Sequence, residues 1–254
     1  MNLLDLKRYF LLSHLTYKSK YADSMIGIFW IPLSSLFLIA VLTLIFSSND
    51  SIKLTEYAAY IGVGYITWGF IADTLNAHCD VFRNKRNDLN SPGTSIGDVF
   101  LQALVDRVYV YLLNLFTLSF VFIAGLVYEW HRLGLFVISL ILLFLTSFLV
   151  SYLTSTITLY FPDFKRLISN LTRILFFSSP IFWGFGASLS GARAHFYSYN
   201  PITYFLELMR YSLGGEINMD VMLAFNTVVL INLALVVLCF SLYKLQPSYL
   251  KNIQ

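Results

Sequence analysis

The sequence predicts an all-α polytopic membrane protein, and three observations predict it. The stretch Met25–Phe46, MIGIFWIPLSSLFLIAVLTLIF, is apolar and free of charge. A helix rising ~1.5 Å per residue needs about 20 such residues to cross a hydrocarbon core of roughly 30 Å. Similar runs recur along the chain. Of 254 residues, 57% are hydrophobic and 12% charged, and the mean hydropathy is +0.69; a soluble domain is nearer about 45–50% apolar and about 25% charged. A β-barrel would show short alternating segments rather than long unbroken runs.

Charge-free runs occur at Met25–Phe46, Tyr57–Ala72, Val108–Tyr128, Leu133–Pro162, Ile174–Ala192 and Val221–Tyr243. The fourth is long enough to tilt. The fifth is bulky over Ile174–Trp183 and rich in Gly and Ser over Gly184–Ala192, so a helix is expected to cross and then break near Gly184–Gly186. The next segment, Ala194–Gly215, is aromatic and of mixed polarity. A re-entrant pair dipping into the outer half of the bilayer is expected over 184–215, where protein or water must satisfy its backbone.

Lys and Arg orient the spans. Lys7, Arg8, Lys18 and Lys20 precede the first; Arg83, Lys85 and Arg86 follow the second; Lys165, Arg166 and Arg173 follow the fourth; Lys244 and Lys251 follow the last. The other loops hold only Lys53, Arg132, Arg193 and Arg210. The rich set is expected to be cytoplasmic, which places both termini inside and requires an even number of spans; six satisfies it. The chain reads as one membrane unit over 1–254, with no cleavable signal peptide and no internal repeat. Within 1–24, Lys7, His14 and Lys18 share one stripe of a helical wheel and Leu3, Leu6, Phe10 and Tyr17 another, so an interfacial helix on the cytoplasmic surface is expected.

No catalytic constellation is apparent. The G-x-x-x-x-G-K-[ST], H-E-x-x-H and G-x-S-x-G patterns do not occur. His14, His78, His131 and His195 are isolated and read as interfacial or packing residues, and Cys79 and Cys239 lack metal-ligand spacing. Asp73 lies near the cytoplasmic end of the second span, and Asp106-Arg107 at the start of the third reads as a boundary anchor. A conduit without its own nucleotide site, driven by an external engine, fits this inventory.

Specific residues sharpen that reading. The segment Lys20-Tyr21-Ala22-Asp23-Ser24-Met25-Ile26-Gly27-Ile28-Phe29-Trp30 enters the first span. Phe161-Pro162-Asp163 comes after the fourth, Ser179-Pro180-Ile181 lies within the fifth, and Asn200-Pro201 is succeeded by Glu207 and Arg210. In this order, over nearly the whole chain, these motifs resemble those of the permease subunits of ABC-2 type polysaccharide (O-antigen and capsule) exporters. Ile26 replaces the family's usual Leu, Pro32 follows Trp30 sooner than the family's proline does, and Pro162 stands where O-antigen permeases usually have Arg.

The resemblance implies a homodimer in a bacterial inner membrane, bound to two copies of a separate ATP-binding cassette subunit. That partner would hold ATP and Mg, and this chain would carry neither cofactor nor catalytic site. It implies an N-terminal gate helix, a cytoplasmic coupling loop over 79–97, and export of a lipid-linked polysaccharide. An ABC-2 permease for a smaller substrate (drug, haem or lipid) and a polytopic enzyme acting on lipid-linked sugars are the alternatives.

Aromatic residues make up 17% of the chain. Tyr57, Tyr128, Trp130 and Tyr243 fit the interfacial belt. Phe29, Trp30, Phe37, Tyr60, Phe176, Phe177 and Trp183 are the candidate lining of a channel, because an aromatic wall lets a sugar ring slide by weak, repeated contacts and a conduit must release what it binds. Ala58, Gly62, Gly69 and Ala72 form a small-residue face suited to close helix packing. Phe82, Arg83, Arg86 and Leu89 are the candidate contacts with the ATPase. Asn200, Pro201, Glu207 and Arg210 mark the outer re-entrant region, with Glu207 and Arg210 three apart and placed to pair.

Overall fold

The structure is a computed structural model that describes residues 3–46, 53–85, 88, 94–125, 130–185 and 189–245. All regular structure among these residues is helical. The main elements are α1 (Leu3–Lys20), α2 (Trp30–Phe46), α3 (Leu54–His78), the short α4 (Val81–Asn84), α5 (Ile96–Gly125), α6 (Leu133–Tyr160), α7 (Phe164–Ser178), α8 (Ala192–Tyr199), α9 (Pro201–Ser212) and α10 (Val221–Leu245). Among the described residues, four segments are long and apolar enough to cross a membrane: Gly27–Phe46, Ile96–Ser119, Leu133–Tyr160 and Val221–Lys244. The chain is a helical membrane protein.

The axis of the bundle is α3. It has the length to span, at 25 residues, but it is more polar than the four. The cause is its position. α2, α5, α6, α7 and α9 all pack on it, so most of its polar groups face protein rather than lipid, with Asp73 an exception. His78 is an instance: its ring bonds the Ser151 hydroxyl at 2.6 Å and the Ala103 carbonyl at 2.9 Å. Gly62 packs tightly, since a Cβ there would lie 2.9 Å from Leu118. Gly69, on the same small-residue face, meets open space instead. That face is therefore packed at Gly62 and Ala72 and open at Gly69.

Pairing fixes the directions. Phe70 packs on Tyr111, and His78 on the Ala103 carbonyl, so α5 runs antiparallel to α3. Phe70 also meets Phe144, and His78 meets Ser151, so α6 runs parallel to it. Asn76 bonds Thr172, and Trp68 packs on Phe176, so α7 runs antiparallel. α10 closes the far side along α6, where Thr146 donates to Asn232 at 3.0 Å.

The N-terminal helix is not isolated on a surface. α1 lies parallel to the first turns of α5, with Tyr9, Ser13 and Tyr17 as its buried stripe. Ser13 donates to Asp106 at 2.6 Å, Tyr9 to Asp98 at 3.3 Å, and Tyr17 stacks on Tyr109 at 5.7 Å. Leu11, Leu12 and Leu15 remain exposed. α5 begins well before the charge-free run starting at Val108, because these polar contacts give its first turns a partner. Asp106 and Arg107 thus sit inside a continuous helix rather than at its start.

α7 ends at Ser178, earlier than the expected break at Gly184–Gly186. Ser179 is extended (φ −90°, ψ 145°), as the residue before a proline favours. Gly184, at φ +102°, belongs to the loop beyond, and Gly186 lies outside the described residues. The chain then returns through α8 to Asn200, whose side-chain amide donates to the Ser179 hydroxyl at 2.8 Å. From there α9 runs beside α3, from Ile202 near Trp68 to Arg210 beneath Tyr60.

Gly64 of α3 makes that approach possible, since a Cβ there would collide with the Arg210 guanidinium and lie 3.2 Å from the Ile181 carbonyl. We expect Gly64→Ala to lower thermal stability in detergent by about 1–3 kcal/mol through overpacking. Gly69→Ala, in open space, should leave stability unchanged or raise it by up to ~1 kcal/mol. Equal effects at both sites would contradict this placement.

Candidate functional site

The segment Ser179–Gly184 leaves a run of backbone carbonyls without helical partners, and an unpaired buried carbonyl is costly. Side chains from distant elements satisfy them. Arg210 donates through Nη2 to the Pro180 carbonyl at 2.7 Å and the Ile181 carbonyl at 3.2 Å. Its Nε donates to the Tyr60 carbonyl at 3.3 Å, and its Nη1 to Glu207 at 2.7 Å. Tyr57 donates to the Phe182 carbonyl at 2.6 Å, Tyr60 to that of Trp183 at 2.9 Å, and Asn218 to that of Gly184 at 2.5 Å. The guanidinium lies 3.5 Å from the centroid of the Tyr60 ring, a cation–π contact. Glu207 and Arg210 are each 1% exposed. At the start of α9, Asn200 caps the helix by accepting from the Ile202 N–H at 3.0 Å, with Pro201 in the first turn.

The expected pairing of Glu207 with Arg210 is present, and the pair serves the break. Tyr57, read as an interfacial belt residue, is instead buried at the break. Tyr60, a candidate lining residue, is also buried there, at 6% exposure. The spacing of Tyr57 and Tyr60, one helical turn apart and opposite a Pro-containing break, was the signal available in the sequence.

The other aromatic candidates fall into two groups. Phe29, Trp30, Phe37 and Phe177 are exposed. Phe176 and Trp183 are half-buried: Phe176 packs on Phe182 and Trp68, and the Trp183 indole donates to the Phe177 carbonyl at 3.2 Å. α2 and α7 flank the same helix, α3, and Phe46 at the end of α2 packs at 4.6 Å on Phe182 in the loop beyond α7. α7 carries exposed Arg166, Asn170, Arg173 and Phe177 along one stripe. Arg166 pairs with exposed Asp163 at 3.4 Å. Arg173 has no side-chain partner among the described residues. Such a face suits water or another protein surface far better than lipid.

Between α2, α3, α5 and the end of α1 lies a polar cavity of about 280 Å³, lined in part by Tyr17, Lys20, Tyr65, Asp73, Arg107 and Asn114. Asn114 accepts a hydrogen bond from Ser35 at 2.9 Å. Burial raises the pKa of the Tyr17 phenol, against the opposing pull of Arg107. The sequence marks Asp73 and Arg107 separately and does not bring them together. No group of three or more His, Cys, Asp or Glu residues able to hold a metal ion occurs among the described residues.

At the opposite end of α3 from the break, the coupling candidates separate. Phe82 is buried against Phe100 and Tyr152, and its N–H donates to Ser155 at 3.1 Å. Its ring therefore anchors the loop rather than lying free on its surface. Arg83 is exposed. Arg86 and Leu89 lie outside the described residues. Nearby, Lys165 at the start of α7 donates to Asp80 at 2.5 Å, tying the loop to α7.

No protein-family model matches the chain, and no curated protein is recognisably similar to it. Removing the central clamp tests the site's architecture directly. Arg210→Ala should cost about 3–5 kcal/mol, because it leaves Glu207 and the Ile181 carbonyl buried without a donor and the Pro180 carbonyl with only the Tyr60 hydroxyl at 3.2 Å. Arg210→Lys should recover only part of that, since an ammonium cannot reproduce the planar fork. Thermal unfolding of the purified chain measures both, and an unchanged midpoint for Arg210→Ala would exclude the clamp.

Proposed function

We propose that this chain is the permease subunit of an ATP-driven ABC exporter that moves lipid-linked polysaccharide across the bacterial inner membrane. The observation that carries this reading is the uncovered side of the bundle. α2 and α7 flank α3 and leave Trp30, Phe37, Asn170, Arg173 and Phe177 exposed. Aromatic rings give the apolar C–H faces of sugars weak, repeatable contact, and the neighbouring polar groups need water or another subunit. A second copy of the chain placed against this side would close it into a conduit.

In this reading the bundle has six spans, with both termini cytoplasmic. α3 is the second span, its polarity tolerated because it is enclosed. α7 is the fifth, 15 residues long and completed by the loop and by α8 and α9, which act as a re-entrant pair on the outer side. α1, joined to α5 through Asp98 and Asp106, is the gate helix. The segment 79–97 docks on the ATPase, with Arg83 exposed and Phe82 fixing its base. ATP and Mg belong to that partner. The resemblance of Lys20–Trp30, Ser179-Pro180-Ile181 and Asn200-Pro201 to polysaccharide exporters supplies the substrate class.

Deleting the gene tests the class. Finished polymer should accumulate in the cytoplasm while surface polysaccharide disappears; unchanged surface polymer would remove the proposal. Within the conduit, Trp30→Ala and Phe177→Ala should each slow export several-fold while co-purification with the ATPase stays intact. Unaltered surface glycan in both variants would end the lining assignment. Reversing the charge of Arg83 together with Arg86 should prevent assembly or uncouple hydrolysis, measured by co-purification and ATPase rate.

A further inference from the structure

Three charged side chains face the cavity beneath α2 and close onto none of its walls. Lys20, Asp73 and Arg107 all line it. None makes a side-chain hydrogen bond or ion pair with a described residue, although Asp73 lies in the field of Arg107 and Lys20. The Arg107 Nε is buried without a partner. Lys20 has only the Tyr17 and Tyr21 rings, each 6.0 Å away. Opposite charges that share a cavity normally collapse into a pair, particularly within a membrane helix, where a lone guanidinium is costly. Here the packing of α2, α3 and α5 holds them apart across about 280 Å³.

The walls define what fits. The Arg107 guanidinium and the Lys20 ammonium match phosphate oxygens. The Asp73 carboxylate accepts from a hydroxyl. Asn114 uses its carbonyl oxygen for Ser35, which leaves its NH2 group as a donor. Gly69 adds no side chain to the floor. Lys20 and Tyr21 stand at the elbow between α1 and α2, where an amphiphile's head can enter from the membrane surface.

We propose that this cavity binds a lipid headgroup in which a phosphate is flanked by hydroxyls. The phosphate lies between Arg107 and Lys20, and a hydroxyl donates to Asp73. Two sources carry that chemistry: a glycerol-headed phospholipid, and the first sugar phosphate of a lipid-linked glycan. The second source rests on the export reading above; the first does not.

Native mass spectrometry of the full chain in detergent tests the site with three probes. These are phosphatidylglycerol, undecaprenyl diphosphate carrying one sugar, and phosphatidylcholine, whose phosphate has no neighbouring hydroxyl. At least one of the first two should be retained about tenfold more tightly than phosphatidylcholine. Arg107→Ala should abolish that advantage, Arg107→Lys should keep part of it, and Lys20→Ala, at an exposed position, should weaken it several-fold without disturbing the fold. Asp73→Ala should remove discrimination against phosphatidylcholine.

Retention of phosphatidylglycerol alone supports the site and assigns its occupant to the bulk membrane, even if deletion of the gene leaves export untouched. Retention of the undecaprenyl species alone supports it and assigns the occupant to cargo. Equal retention of all three lipids, or indifference to both Arg107→Ala and Lys20→Ala, overturns it.

Discussion

The buried guanidinium of Arg210 is the constraint around which one end of this protein is arranged. A helix that stops inside a membrane protein leaves carbonyls that neither lipid nor helix can satisfy. Arg210 supplies several donors in one rigid plane and distributes them over Pro180, Ile181, Tyr60 and Glu207. Its charge is offset by Glu207 and by the face of Tyr60. An isolated arginine buried this completely would be costly. Embedded among carbonyls, a carboxylate and a π-face, it holds three segments in register: the break after α7, the N-terminal half of α3, and α9. A buried ion pair is weak evidence for stability by itself; here its importance lies in the backbone groups it satisfies.

The same logic, polar groups enclosed by protein, accounts for α3. Tyr57, Tyr60 and His78 make it more polar than its neighbours, yet each is turned toward another segment of the protein and bonded there. One position on its small-residue face departs from this pattern. At Gly69 the packing opens, and the cavity with Lys20, Asp73 and Arg107 begins. One helix thus provides both a very close contact, at Gly64, and a polar vacancy. The two lie about a turn and a half apart.

Much of this was legible in the sequence. The apolar runs at Met25–Phe46, Leu133–Pro162 and Val221–Tyr243 are helices with nearly those bounds, because length and apolarity are local properties. The pairing of Glu207 with Arg210 follows from helical spacing. The features that the sequence concealed depend on tertiary neighbours. α5 extends back to Ile96 because α1 covers its polar first turns. Tyr57 turns inward because Phe182 offers it an unpaired carbonyl. α7 stops at Ser178 rather than at the glycines because the proline at 180 already disfavours helix at the residue before it. Phe82 looked like a surface contact, but Phe100 and Tyr152 bury it. The cavity draws on four elements, and no linear pattern joins its charges.

The position of Arg210 has a consequence for biosynthesis. It is made 30 residues after Pro180, so the interrupted segment leaves the ribosome before its main donor does. Tyr57 and Tyr60 are already present and can hold Phe182 and Trp183 provisionally. The Ile181 carbonyl must wait for α9 to arrive and slot against Gly64. Insertion of this chain therefore cannot proceed strictly one helix at a time: its fifth hydrophobic stretch matures only together with α8 and α9, as a single late step of assembly.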